Sequence, residues 1–137
     1  MAILQLALLS WVLGLTAYCG TLGFVFHQSP WQDFGAVLFW SGMAGGIATI
    51  LMYLPLFRLF GRVAGRRKRV FVLALAGALV FPLPTLFILG ASGGVESGVW
   101  RALSSSEAIL FHILFAVMGA TFGTGMGVLE GRATLRG

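Results

Sequence analysis

Residues 55–70 read Pro-Leu-Phe-Arg-Leu-Phe-Gly-Arg-Val-Ala-Gly-Arg-Arg-Lys-Arg-Val, a short basic run inside an otherwise apolar chain. Arg58, Arg62, Arg66, Arg67, Lys68 and Arg69 are six of the nine Lys and Arg among 137 residues. The flanking stretches are long and apolar. About 20 apolar residues cross a hydrocarbon core of ~30 Å, and residues 3–26, 34–57, 70–89 and 107–128 each meet that requirement.

Composition agrees. The chain is 58% apolar and 9% charged, with a mean hydropathy of +0.97. A soluble domain carries about 25% charged residues, so too little charge is available here to coat a water-facing surface. The reading is an all-α integral membrane protein, with residues 1–137 forming one domain of four transmembrane helices in two antiparallel hairpins. Cys19 is the only cysteine, which excludes an intramolecular disulfide framework and a four-thiolate metal site.

Four spans return the chain to the side on which it began. The basic run and the tail with Arg132 and Arg136 fall on one side; the two opposite loops hold only Arg101. Basic loops stay in the cytoplasm, so both termini are expected there, with residues 27–33 and 90–106 facing outward. A bacterial inner membrane is the expected location. The first span is read as permanent, because a charged leader segment is missing and Tyr18 before Cys19 is too large for a lipoprotein cleavage site.

Helix starts are marked on the outer side. Ser29-Pro30-Trp31-Gln32-Asp33 combines a capping Ser, a first-turn Pro, a capping-box Gln and a first-turn carboxylate, which moves the second start to about residue 30. Ser104-Ser105-Ser106-Glu107 repeats the capping-box spacing and starts the fourth helix near Ser105. The spans become 3–26, 30–57, 70–89 and 105–128. Pro55 is expected to kink the second span, and Pro82 and Pro84 the third. After Gly90, Gly93 and Gly94, the residues Val95, Val99, Trp100 and Leu103 share one side of a short helix, expected on the outer surface with Trp100 and Trp31 at headgroup depth.

Chemistry is sparse. Ionisable groups inside a span mark pumps and proton relays, yet Asp33, Glu96, Glu107 and Glu130 all fall at span boundaries. No nucleophile, metal or phosphate motif appears, so no enzyme is expected. The basic run fits anionic headgroups on the cytoplasmic side at about 1 kcal/mol per basic residue, or an acidic surface on a partner. It is too short to build a nucleic-acid module.

Small residues are regularly spaced instead. Gly119, Gly123, Gly127 and Gly131 make overlapping GxxxG steps, Gly42 and Gly46 stand in the second span, Thr16, Gly20 and Gly23 in the first, and Ala74, Gly77 and Ala78 in the third. Helices in lipid associate through such close-approach faces. Four glycines in one strip exceed what one internal crossing would use, so a partner is expected over the fourth helix or the second. His27 continues the first-span stripe and His112 precedes that of the fourth. Two imidazoles there could ligate a haem b, or one could hold a quinone. At a rise of ~1.5 Å per residue the two lie at different depths, which favours an interhelical hydrogen bond from His112, to Thr16 or Tyr18, and a turn position for His27.

Three functions follow from this reading. The first is a non-catalytic subunit, or assembly or stabilising factor, of a larger membrane complex or homo-oligomer. The second is a haem- or quinone-binding anchor of an electron-transfer complex. The third is a small oligomeric channel or permease lined by Ser41, Thr49, Thr85, Thr121 and Thr124.

Overall fold

The computed structural model describes residues 2–29, 31, 33–63, 68–91 and 98–133, with backbone alone at 61–63 and 130–133. It is helical, with no strand among the described residues. Four helical stretches are long and apolar enough to cross a membrane: Ala2–Phe24, Phe34–Phe60, Arg69–Ala91 and Ser106–Leu129. This is a membrane protein by length and composition.

The first span is α1 (Ala2–Phe24). It stops where His27 adopts a left-handed φ of 53° and the Gln28 amide returns to the Leu22 carbonyl at 3.2 Å; His is one of the few side chains that tolerate this conformation. The second span starts at Phe34 as α2 (Phe34–Ala48), later than the expected residue 30. Ser29 is therefore not its cap. Asp33 stands at that position without a side-chain capping bond, and Trp31 sets its ring edge-on to Phe34 at 5.6 Å. Pro30 and Gln32 lie outside the described residues.

Pro55 acts one turn ahead of itself. Lacking an amide hydrogen, it cannot complete the ladder to residue 51. A single π-helical turn, Thr49–Tyr53, widens the helix just before it, with the Leu54 amide bonded to the Thr49 carbonyl. The span then continues as α3 (Leu54–Val63), with Tyr53 and Phe57 fully buried in the core. The third span breaks where Pro82 predicts, into α4 (Arg69–Leu79) and α5 (Pro82–Ala91).

A short α6 (Val99–Leu103) precedes the last helix, α7 (Ser106–Ala133). Val95, Glu96, Gly93 and Gly94 lie outside the described residues. Ser105 caps α7: its hydroxyl accepts the Ala108 amide at 3.1 Å and its carbonyl accepts the Ile109 amide at 3.0 Å. The expected start is thus met, with Ser105 rather than Ser104 as the capping residue.

The fourth span is the centre of the packing, lying between α4 and α1. Register fixes the directions: Val70, Leu73 and Gly77 meet Gly127, Gly123 and Gly119 in turn, and Leu6 and Gly14 meet Gly125 and Leu114. Both helices therefore run opposite to α7. The second span lies over this layer, α2 against α5 and α3 against α4.

Candidate functional site

The closest backbone contact belongs to α4 and α7. A Cβ added to Gly77 would overlap the Gly119 carbonyl, one added to Gly119 would overlap that of Gly77, and one on Gly123 would overlap that of Leu73. A Cβ on Gly127 would stand 2.9 Å from the Val70 Cα. Small residues allow this approach, and dispersion between backbones is what holds helices together in lipid. The strip Gly119, Gly123 and Gly127 is thus at a helix contact, and one internal crossing uses all three. Gly131, the fourth glycine of the expected strip, falls where the backbone alone is described.

Aromatic rings seal the crossing. Tyr53 and Phe57 stack at 5.8 Å, and Phe122 lies 5.7 Å from Phe57. All three are fully buried. The Tyr53 hydroxyl donates to the Phe115 carbonyl at 3.4 Å, one helical turn from Gly119. These rings fill the space that the glycines leave beside the backbone, so the π-turn ahead of Pro55 and the glycine crossing are parts of one packing unit.

On the first span the packed face differs from the expected one. Ser10, Gly14, Leu15, Tyr18 and Leu22 are buried, and a Cβ on Gly14 would reach the Leu114 carbonyl at 2.7 Å. Gly20 and Gly23 meet nothing within 4 Å, and Thr16 is exposed, its hydroxyl bonded to the Val12 carbonyl. At 100° per residue Gly20 points about 200° from Tyr18, away from α7. Thr16, Gly20 and Gly23 therefore form a second small-residue stripe, against which no described residue packs closely at either glycine. Beside it is a shallow hollow of 520 Å³ lined by Val12, Leu15, Thr16, Cys19, Gly20 and Phe34.

In the second span, Gly42 approaches the Trp11 ring and Gly45 the Met118 side chain, while Gly46 meets nothing. The Trp11 indole donates to the Ser41 hydroxyl at 3.1 Å. This polar link, and Gly14, were not singled out in the sequence, although Ser10-x-x-x-Gly14 is as legible a small-residue step as any.

His112 ties three elements together. Its Nε2 lies 3.2 Å from the Leu103 carbonyl and its Nδ1 3.0 Å from the Thr85 hydroxyl. A carbonyl only accepts, so Nε2 carries the hydrogen. In a neutral ring Nδ1 then accepts from Thr85, whose hydroxyl also lies 3.1 Å from the Phe81 carbonyl. The Phe81 ring packs edge-on at 4.8 Å. The interhelical bond expected of His112 is formed, but to Thr85 rather than to Thr16 or Tyr18. His27 is exposed in its turn. An iron or quinone binding His112 would first have to displace Thr85 or Leu103.

Four of the five hydroxyls considered for a solute path bond to their own helix, Ser41 to Leu38, Thr49 to Gly45, Thr121 to Val117 and Thr124 to Ala120, and that of Thr85 is shared between His112 Nδ1 and the Phe81 carbonyl. No group of three or more His, Cys, Asp or Glu is placed to hold a metal among the described residues.

Of the basic run, Arg58 and Lys68 are exposed and Arg69 is half-buried at the start of α4. The side chain of Arg62 lies outside the described residues, as do Arg66 and Arg67. Phe57 faces inward from α3 while Arg58 and Leu59 face out, so that helix is amphipathic around its own packing contact.

The chain matches no family model, and no curated protein or solved structure shows significant similarity to it.

Proposed function

We propose that the protein is a non-catalytic subunit, or an assembly or stabilising factor, of a larger membrane complex in a bacterial inner membrane. The observation that carries this reading is the stripe Thr16, Gly20 and Gly23. It bares small residues on the side of α1 opposite its internal contact, and the adjoining hollow leaves room for side chains from a neighbouring helix. Lipid gains nothing from a glycine stripe, whereas a close-packing helix does. In this reading the partner sits on the first span, because Gly119, Gly123 and Gly127 of the fourth are used within the chain.

In this reading the spans form two antiparallel hairpins in one domain, with both termini and the basic run in the cytoplasm. Arg58, Lys68 and Arg69 then lie at anionic headgroups, and α6 lies on the outer surface with the exposed rings of Trp100 and Trp31 at headgroup depth. Extraction under mild conditions tests the proposal. A defined membrane protein should co-purify in fixed stoichiometry, and Gly20→Leu should release it without unfolding this chain. A Soret band lost on His112→Ala would move the protein to electron transfer, and solute flux through reconstituted pure protein would move it to transport.

A further inference from the structure

The spans α1 and α2 barely approach at the backbone. Trp11 and Ser41 bridge them, and on one side of this bridge the helices part around a groove of 280 Å³. Leu4, Ala7 and Trp11 form one wall, Gly42 and Gly46 the other, and Met118 the floor. The glycines remove side chains from the α2 wall, and Gly46 faces open space. Thr49 supplies a hydroxyl at the rim, but it is already bonded to the Gly45 carbonyl at 2.7 Å. No polar group in the groove asks for a partner.

Size and position select the occupant. The volume is about twice that of a ~150 Å³ apolar cavity that accepts benzene, enough for a stretch of hydrocarbon chain. A helix about 10 Å across could not seat its backbone in it. The groove runs from Trp11 toward Leu4, the N-terminal end of α1. That end lies with the N-terminal end of α4, because Leu6 faces Gly125 and Val70 faces Gly127 on the same part of α7. Lys68 is exposed there, just ahead of α4, and Arg58 is exposed on α3, which packs on α4.

We propose that this groove holds one acyl chain of an anionic phospholipid from the leaflet on the basic side, its tail against Trp11 and its headgroup at the level of Arg58 and Lys68. The inference rests on the basic-run part of the reading above and not on any protein partner, whose stripe is on another face of α1.

Trp11 reports occupancy directly. In a full-length chain with Trp31→Phe, Trp40→Phe and Trp100→Phe, its fluorescence is measured in phosphatidylcholine vesicles. Phosphatidylglycerol brominated on its acyl chains is compared with brominated phosphatidylcholine at equal mole fraction. The expected result is quenching by the anionic lipid as though it were enriched about fivefold at the site, the effect of one basic residue near an anionic headgroup. Gly46→Phe, introduced where a side chain has open space, should return quenching to the bulk value, and Ala7→Phe should do so from the opposite wall. Arg58→Gln with Lys68→Gln should abolish the headgroup preference. Equal quenching by the two lipids, or an excess unmoved by both groove-filling variants, would overturn the proposal. So would displacement of the brominated lipid by a quinone, or self-cross-linking of Gly46→Cys in a Cys19→Ser background, which would place a second copy in the groove.

Discussion

Gly77 and Gly119 face one another so closely that a methyl group on either would overlap the other's carbonyl oxygen. Their crossing joins the third and fourth spans. Tyr53 and Phe57 are fully buried against it, and the π-turn at Thr49–Tyr53 lies in the second span just ahead of Pro55.

Gly119→Ala is expected to cost about 1–3 kcal/mol, the usual penalty of forcing one extra carbon into a packed contact, and Gly123→Leu to separate the helices outright. Gly20→Ala adds a methyl to open space and should leave the stability of the isolated chain unchanged. Reversible unfolding in mixed micelles measures all three. Equal stability of Gly119→Ala and Gly20→Ala would mean that the close crossing does not hold the bundle.

The same assay separates ring packing from hydrogen bonding at the crossing. Phe57→Ala should lose about 3–5 kcal/mol through the cavity left by a fully buried ring. Tyr53→Phe should lose about 0.6 kcal/mol, the average for an interhelical hydrogen bond in a membrane protein. A larger loss from Tyr53→Phe than from Phe57→Ala would reverse the assignment.

Spans, the break at Pro82, the Ser105 start and the fourth-span glycine contact were all legible in the sequence, because each depends on local chemistry or on the period of one helix. Pairing was not. Thr16-x-x-x-Gly20 and Ser10-x-x-x-Gly14 are equivalent as spacing, and only the side chains of α7 decide that the second is inside. The partner of His112 was missed for the same reason: Thr85 follows the proline break in the third span, and the direction in which α5 resumes cannot be counted from residue spacing.

His112 should hold α6 against the bundle through the Leu103 carbonyl. Hydrogen exchange at residues 99–105 is expected to speed up in His112→Ala, while exchange in the α4 and α7 crossing stays slow. Thr85→Val keeps the shape and removes the Nδ1 partner, so it should produce the smaller change. Unaltered exchange around α6 in both variants would show that the histidine does not anchor it.

Orientation has its own check. In a Cys19→Ser background, an impermeant maleimide applied to intact cells should label Ser104→Cys and spare Lys68→Cys, both exposed positions. The opposite pattern would place the basic run outside and undo the assignment of the termini.

The decisive measurement is native mass spectrometry of the protein released from its own membrane in lipid nanodiscs. The account predicts an assembly well above the 14.6 kDa chain, containing a second polypeptide in fixed ratio. That polypeptide should be lost on Gly20→Leu and retained on Gly46→Leu, because the two glycines open on different faces. A chain that emerges alone at 14.6 kDa, or a complex indifferent to Gly20→Leu, would contradict it.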